Sequence, residues 1–170
     1  MRAVLRLLFR VRVRGDAAAL SAGGALVIAN HDSLLDAVLL GVFLPGRPLV
    51  VVTREALAHP VTRTLLRAVP HVALDPARPL GVKRLIQQVR SGRTVVIFPQ
   101  GRATTTGGLM KVYDAAGVIA SRCDADIVPV RIQGTLYSRF SQAGGAHRRR
   151  WLPRVTLYVH APCKLPPLPA

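Results

Sequence analysis

Five short aliphatic runs constrain this chain most: Ala25-Leu26-Val27-Ile28, Leu49 to Val52, Val72 to Leu74, Thr94 to Phe98 and Ile127 to Ile132. Ala25 to Ile28 and Leu49 to Val52 show no in/out alternation and read as buried strands, covered on both faces; the other three read as strands as well. Between them lie stretches with helical spacing. Leu34 to Phe43 stops at Leu44-Pro45-Gly46, Glu55 to Ala68 is interrupted near Pro60, Pro79 to Val89 closes at Ser91-Gly92, and Leu109 to Cys123 follows. Val155 to Val159 reads as a last strand. Strands alternating with helices predict one α/β domain with a mixed, largely parallel sheet flanked by helices. At 170 residues the length suits a single domain.

The N-terminal stretch has a different character. Arg2, Arg6 and Arg10 share one helical face and apolar side chains cover the rest, which predicts an amphipathic helix over 1–9. It is either a membrane-surface element or a terminal helix docked on the core. Its arginines interrupt the apolar part and no small-residue cleavage site follows, so it does not fit a signal peptide. From Arg10 to Arg14 arginine alternates with valine, an edge-strand pattern with outward charges. The domain is expected over 10–162, and a proline-rich tail over 163–170 is expected to leave it.

Charge narrows the partners. With 24 basic and 8 acidic residues the formal net charge is +16, which attracts anionic lipid, nucleic acid or an acidic carrier protein. Aromatics for stacking on bases are few and no recognition motif is present, so nucleic acid is not expected. Cys123 and Cys163 have no paired spacing, which indicates a reducing compartment and no metal. No run of about 18 apolar residues is present to span a bilayer.

Two segments carry candidate chemistry. In Asn30-His31-Asp32-Ser33-Leu34-Leu35-Asp36, a histidine sits five residues before an aspartate, just after a strand. On one straight helix such residues lie roughly 140° apart. They meet only if His31 stands in the loop and Asp36 in the first turn, with Ser33 as the N-cap. Asp36 then holds one imidazole nitrogen and leaves the other as a general base. Ser33-x-x-Asp36 is also a capping-box pattern that needs no catalysis. In Phe98-Pro99-Gln100-Gly101-Arg102, a strand runs into a turn that projects an arginine from its end, where α/β sheets bind ligands. Thr104 to Thr106 and Gly107-Gly108 follow, either as phosphate contacts or as an ordinary glycine-rich turn. The ending is not that of a nucleotide P-loop.

In this order, His-x4-Asp and Phe-Pro-x-Gly-Arg resemble the glycerophospholipid acyltransferase family. Leu109 to Gly117 and Ile127-Val128-Pro129-Val130-Arg131-Ile132-Gln133-Gly134 look like its later blocks. Arg12 to Asp16, Leu74-Asp75-Pro76 and Gly107 to Lys111 are most similar to the acyltransferase portion of bacterial 2-acylglycerophosphoethanolamine acyltransferase/acyl-carrier-protein synthetases. The resemblance covers roughly Arg10 to Pro162. It implies that His31 is the general base and Asp36 its orienting partner. Pro99, Gln100, Gly101, Arg102 and Thr104 lie on the side that holds the glycerol phosphate, and Pro129 belongs to the block that shapes the acyl-donor side.

The resemblance further implies a lysophospholipid acceptor, with 1-acylglycerol 3-phosphate as the alternative. It implies an acyl carrier protein or coenzyme A thioester donor, no covalent intermediate and no cofactor. The expected place is peripheral, on the cytoplasmic face of the inner membrane. Gln100 stands where the family normally has glutamate, which keeps shape and removes a charge. Arg78 takes no assigned role in the middle block. His147 to Trp151 forms a basic cluster suited to lipid phosphates, to an acidic carrier protein or to plain solvation.

Overall fold

A computed structural model describes residues 1–58, 60–74, 79–108, 110–144 and 148–165. Asp75, Pro76 and Arg78 of the middle block, and also His59, Leu109, His147 and the tail from Pro166, lie outside the described residues.

The five apolar runs, the arginine–valine segment and the last expected strand become β1 (Arg12–Gly15), β2 (Leu26–Ala29), β3 (Leu49–Val52), β4 (His71–Ala73), β5 (Val95–Ile97), β6 (Ile127–Gln133) and β7 (Thr156–Val159). They form one sheet in the order β1-β7-β6-β2-β5-β3-β4. The five strands β6, β2, β5, β3 and β4 are parallel, β7 is antiparallel to β6, and β1 is parallel to β7. The sheet is therefore mixed and largely parallel, with the arginine-rich β1 at one edge. Arg12 and Arg14 are exposed there while Val13 packs inward, which leaves charge on the edge.

Helices are α1 (Arg2–Phe9), α2 (Leu35–Phe43), α3 (Arg54–Ala58), α4 (Pro60–Leu66), α5 (Pro79–Arg90) and α6 (Ala115–Cys123). Successive strand residues alternate between two cores. Val27, Val50, Val52, Val96, Phe98 and Val128 meet α1, α2 and α4 on one side. Leu26, Leu49, Val51, Val95, Ile97 and Ile127 meet α5 and α6 on the other. Covering both faces explains why β2, β3 and β5 lack polar positions, whereas the end of β6 exposes Arg131 and Gln133. α2 is apolar on nearly every side and buried at eight of its nine residues, as expected of a helix enclosed by neighbours. α1 docks through buried Phe9, with Arg2 and Arg6 over the Phe43 ring at 5.6 and 5.9 Å. Leu7 still remains 80% exposed, so the docked helix leaves an apolar surface outside.

Two expectations are corrected and one holds. The helix expected from Leu109 begins at Ala115, because the chain first runs back along the turn after β5, where Tyr113 N–H donates to Pro99 C=O at 2.9 Å. The interruption expected near Pro60 is present, with α3 ending at Ala58 and α4 restarting at Pro60, which suits a first helical position and not an interior one. The tail does not leave at Pro162. Cys163 exchanges two backbone hydrogen bonds with Ile127, at 2.8 and 2.9 Å, and supplies partners that the start of β6 would otherwise lack. Short 3-10 turns at Ala17–Ala22 and Thr135–Tyr137 carry no sequence signal that the periodicity reveals.

The connections create the site. β2 continues through α2 toward β3, whereas β5 continues through α6 toward β6, on the other side of β2. Adjacent strands β2 and β5 thus send their connections to opposite faces and leave a crevice at their carboxyl ends. At that same edge Gly134 adopts φ +104, and an added Cβ would strike the Arg154 carbonyl oxygen. Gly134→Ala should lower stability by about 1–3 kcal/mol, measured by urea unfolding against wild type; an unchanged midpoint would refute the requirement for glycine.

Candidate active site

Asn30 begins the site. Its side-chain oxygen accepts from Ile132 N–H at 2.7 Å and its amide donates to Ile132 C=O at 3.0 Å. The side chain thus serves as an extra rung between β2 and β6 and turns the backbone out of the sheet. The same amide donates to Asp32 Oδ2 at 2.8 Å.

His31 follows, held from three sides. Its backbone N–H donates to Gln100 Oε1 at 3.1 Å, and its carbonyl accepts from Thr104 N–H at 2.8 Å. Its ring stacks on Phe98 with centroids 4.2 Å apart and planes at 21°. Its Nδ1 lies 3.1 Å from Asp36 Oδ2. The imidazole is 15% exposed and the carboxylate 0%. A carboxylate only accepts, so Nδ1 carries the proton in the neutral ring and Nε2 keeps its lone pair.

Asp36 does two jobs. Oδ2 also accepts from the backbone N–H groups of Asp32, at 2.6 Å, and Ser33, at 2.8 Å, while Leu35 N–H donates to Ser33 Oγ at 3.2 Å. Oδ2 thus takes Ser33 N–H as a capping box expects, but Asp36 N–H donates to Ser33 C=O at 3.1 Å and not to the hydroxyl, and the helix is capped at Leu34 instead of the expected Ser33; half of the box and the histidine contact share one oxygen. The carboxylate sits in the first turn of α2, where the helix dipole favours negative charge. Among the described residues Oδ1 is buried without a hydrogen-bond partner, so burial of the charge is offset through Oδ2 alone.

A second support comes from the segment after β6. Ser33 Oγ and Ser138 Oγ are 2.9 Å apart, Leu34 N–H donates to Phe140 C=O at 3.2 Å, and Ser141 Oγ donates to Asp32 C=O at 2.9 Å. Phe98, Asn30, Ser138 and Ser141 escaped the sequence reading. Phe98 and Asn30 left a trace there only as neighbours, one ending the strand beside the candidate turn and one heading the His31 stretch, with no role assigned.

Gly101 has φ +70 and its N–H closes the turn onto Phe98 C=O at 3.0 Å. The turn places Gly101 and exposed Arg102 beside His31 at a mainly apolar cleft of about 290 Å³, which runs between Leu34, Val51, Leu74 and Phe98. Pro99 is half-buried in the same turn. Thr104 is fully buried; its hydroxyl donates to Gly108 C=O at 2.9 Å and accepts from Gly107 N–H at 3.0 Å. It holds the glycine loop together and does not face the His31 cleft.

Pro129 is not beside His31. With Gln100, Asp32, Arg131, Tyr137 and His160 it lines a second cleft of about 510 Å³. Gln100, 4% exposed, stands between the two clefts, its Oε1 on the His31 backbone. An amide oxygen makes that bond as a carboxylate would. His71 accounts for itself locally, with Nδ1 3.1 Å from Val69 C=O.

Comparison with known proteins places these features in a wider set. A family model described as acyltransferase matches residues 10–133. A 1-acyl-sn-glycerol-3-phosphate acyltransferase of Cocos nucifera is 27% identical over 116 residues, 65% of this chain and 38% of that protein. The lysophospholipid acyltransferase LPCAT4 of Homo sapiens is 32% identical over 125 residues, 65% of this chain and 23% of that protein. The chain thus spans well under half the length of these relatives. The crystal structure of the 1-acyl-sn-glycerophosphate acyltransferase PlsC from Thermotoga maritima superposes with a TM-score of 0.64 at 20% identity, covering 96% of this chain and 68% of that one. This last likeness bears on the fold.

Burial and the neighbouring Asp36 charge push the Asp32 carboxyl above its ordinary range, against the Asn30 hydrogen bond and the His31 and Arg131 charges. A carboxyl raised on folding favours the native state most when protonated, and that contribution is lost as pH rises through the folded value. Asp32→Asn keeps an acceptor for Asn30 and should stabilise the protein at pH 7, with the gain shrinking as pH falls toward 3.8. Urea titrations across that range would check this; equal stability of the two proteins at pH 7 would contradict it.

Proposed function

The chain belongs to the acyltransferase family, and we propose that it moves a fatty acyl group from a thioester donor to the free hydroxyl of a lysophospholipid. One observation carries this reading: His31 Nδ1 rests on buried Asp36 while the ring borders an apolar cleft with Arg102 beside it.

The chemistry follows from that arrangement. The acceptor hydroxyl gives its proton to Nε2 as its oxygen attacks the thioester carbonyl. Asp36 stabilises the imidazolium that forms. The tetrahedral intermediate collapses, the C–S bond breaks, and the thiolate takes the proton from Nε2. No enzyme-bound acyl group is needed. The apolar cleft between α2 and β3 suits the fatty chain, each buried methylene contributing about 0.8 kcal/mol. Arg102, with Gly101 giving access to the backbone, suits the phosphate of the acceptor. Gln100 orients the His31 backbone. Pro129 and the second cleft suit the donor's arm, acyl carrier protein or coenzyme A.

For the acceptor, 2-acylglycerophosphoethanolamine is supported by the Leu-Asp-Pro and Gly-Gly-Leu-Met-Lys segments. The name of the Cocos protein supports 1-acylglycerol 3-phosphate equally. The family domain would extend over 10–162, with the work done peripherally at an anionic surface on the cytoplasmic face of the inner membrane. The basic α1, with Val4 and Leu7 exposed, supports that place. No helix among the described residues is long and apolar enough to cross a membrane.

Labelled acyl donor should be consumed with lysophosphatidylethanolamine or lysophosphatidate as acceptor, and the ratio of rates identifies the head group. His31→Ala should lower turnover by about 10²–10⁴-fold with the circular-dichroism spectrum unchanged. Equal inertness of wild type and variant across all acceptors would instead leave a basic membrane-binding module. Gln100→Leu, which removes the acceptor for His31 N–H, should cost activity that Gln100→Glu retains; the reverse order would sink the positioning role.

A further inference from the structure

The corner between β6 and β7 holds no group that reacts in the chemistry above, although Tyr137 also lines the second cleft, and it stands at the same edge of the sheet. β6 ends there and β7 begins, with Gln133 opposite Thr156. Tyr137 C=O accepts from Arg150 N–H at 2.7 Å, and Arg139 N–H donates to Arg150 C=O at 3.2 Å. This short ladder brings the Arg139 guanidinium over the Trp151 ring, 4.4 Å from its centroid. Trp151 is 65% exposed, Leu152 49% and Tyr137 46%. Such aromatic and aliphatic exposure in one place marks an interaction surface. Arg150 and Arg154 flank it, also exposed, and the sequence holds no acidic residue after Asp126.

We propose that this corner is a bilayer contact separate from α1, in which Trp151 and Leu152 enter the boundary between head groups and acyl chains of an anionic membrane. Arg139, Arg150 and Arg154 then meet lipid phosphates. Tryptophan with flanking arginine suits that boundary, where one end of the side chain is apolar and the other wet. An acidic protein would satisfy the arginines but would not need Trp151 and Leu152 bare. The corner also continues into Ser138, Phe140 and Ser141, which hold the His31 loop. Docking there presents the His31 cleft to the leaflet that carries its acceptor. That last consequence rests on the lysophospholipid reading; the docking itself does not.

Trp151 is the sole tryptophan, so its fluorescence reports this surface alone. With the full chain, phosphatidylglycerol vesicles should shift the emission to the blue and lipids brominated in the acyl chain should quench it. Phosphatidylcholine vesicles should do neither, and high salt should reverse both effects. Arg139→Ala should weaken vesicle binding about fivefold, the loss of one basic side chain at an anionic surface. Co-sedimentation with vesicles but no shift or quenching would overturn the proposal and leave α1 as the contact. A shift with acidic acyl carrier protein but none with vesicles would overturn it in favour of a protein partner. Trp151→Ala should slow transfer to a vesicle-borne acceptor and spare a short-chain acceptor dissolved below its micelle concentration. A wild type that shifts on vesicles but acylates neither acceptor would refute the enzymatic reading and leave the docking surface standing.

Discussion

One carboxylate oxygen organises the site. Asp36 Oδ2 takes three donors, two from the backbone of Asp32 and Ser33 and one from the His31 ring. The backbone bonds fold the loop over the start of α2, and the same bonds fix the oxygen against which His31 is set. Helix initiation and imidazole orientation therefore cannot be separated: a side chain that loosened one would loosen the other. The fully buried position raises the stakes, since a buried charge without partners is costly. That the second oxygen lacks a partner makes the load on Oδ2 the greater.

The sheet supplies the rest of the alignment. β2 lies between β5 and β6, and each neighbour contributes one clamp. From β5 come Phe98 under the ring and Gln100 on the His31 backbone; from β6 comes Ile132, read by Asn30. Because Gln100 acts here as a hydrogen-bond acceptor, the loss of charge relative to glutamate does not remove the contact. The two clefts stand on opposite sides of this ridge, one apolar and one with Asp32, Arg131 and His160. Such a division suits the two-substrate transfer proposed for His31.

The five apolar runs, the proline and glycine stops and the short spacing determined the α/β class and the parallel core, since strands enclosed on both faces admit no polar alternation. The His-x4-Asp spacing and the Gly101 turn likewise marked the two loops that meet. The sequence also determined the field of the molecule, because a net charge of +16 follows from side-chain identity alone. What only the tertiary structure decided was which of two local readings Asp36 follows, and the answer is the imidazole together with half of the capping box, because one oxygen takes the His31 ring and Ser33 N–H together. It decided that Thr104 ties a loop and that Pro129 stands beyond the Gln100 ridge, since both depend on where strands far apart in the chain are brought side by side. It also decided that Trp151 lies bare beneath Arg139, a pairing made by the ladder between Tyr137 and Arg150. Local spacing carries periodicity, caps and turns; contacts between residues as distant as Asn30 and Ile132 exist only once the sheet order is set.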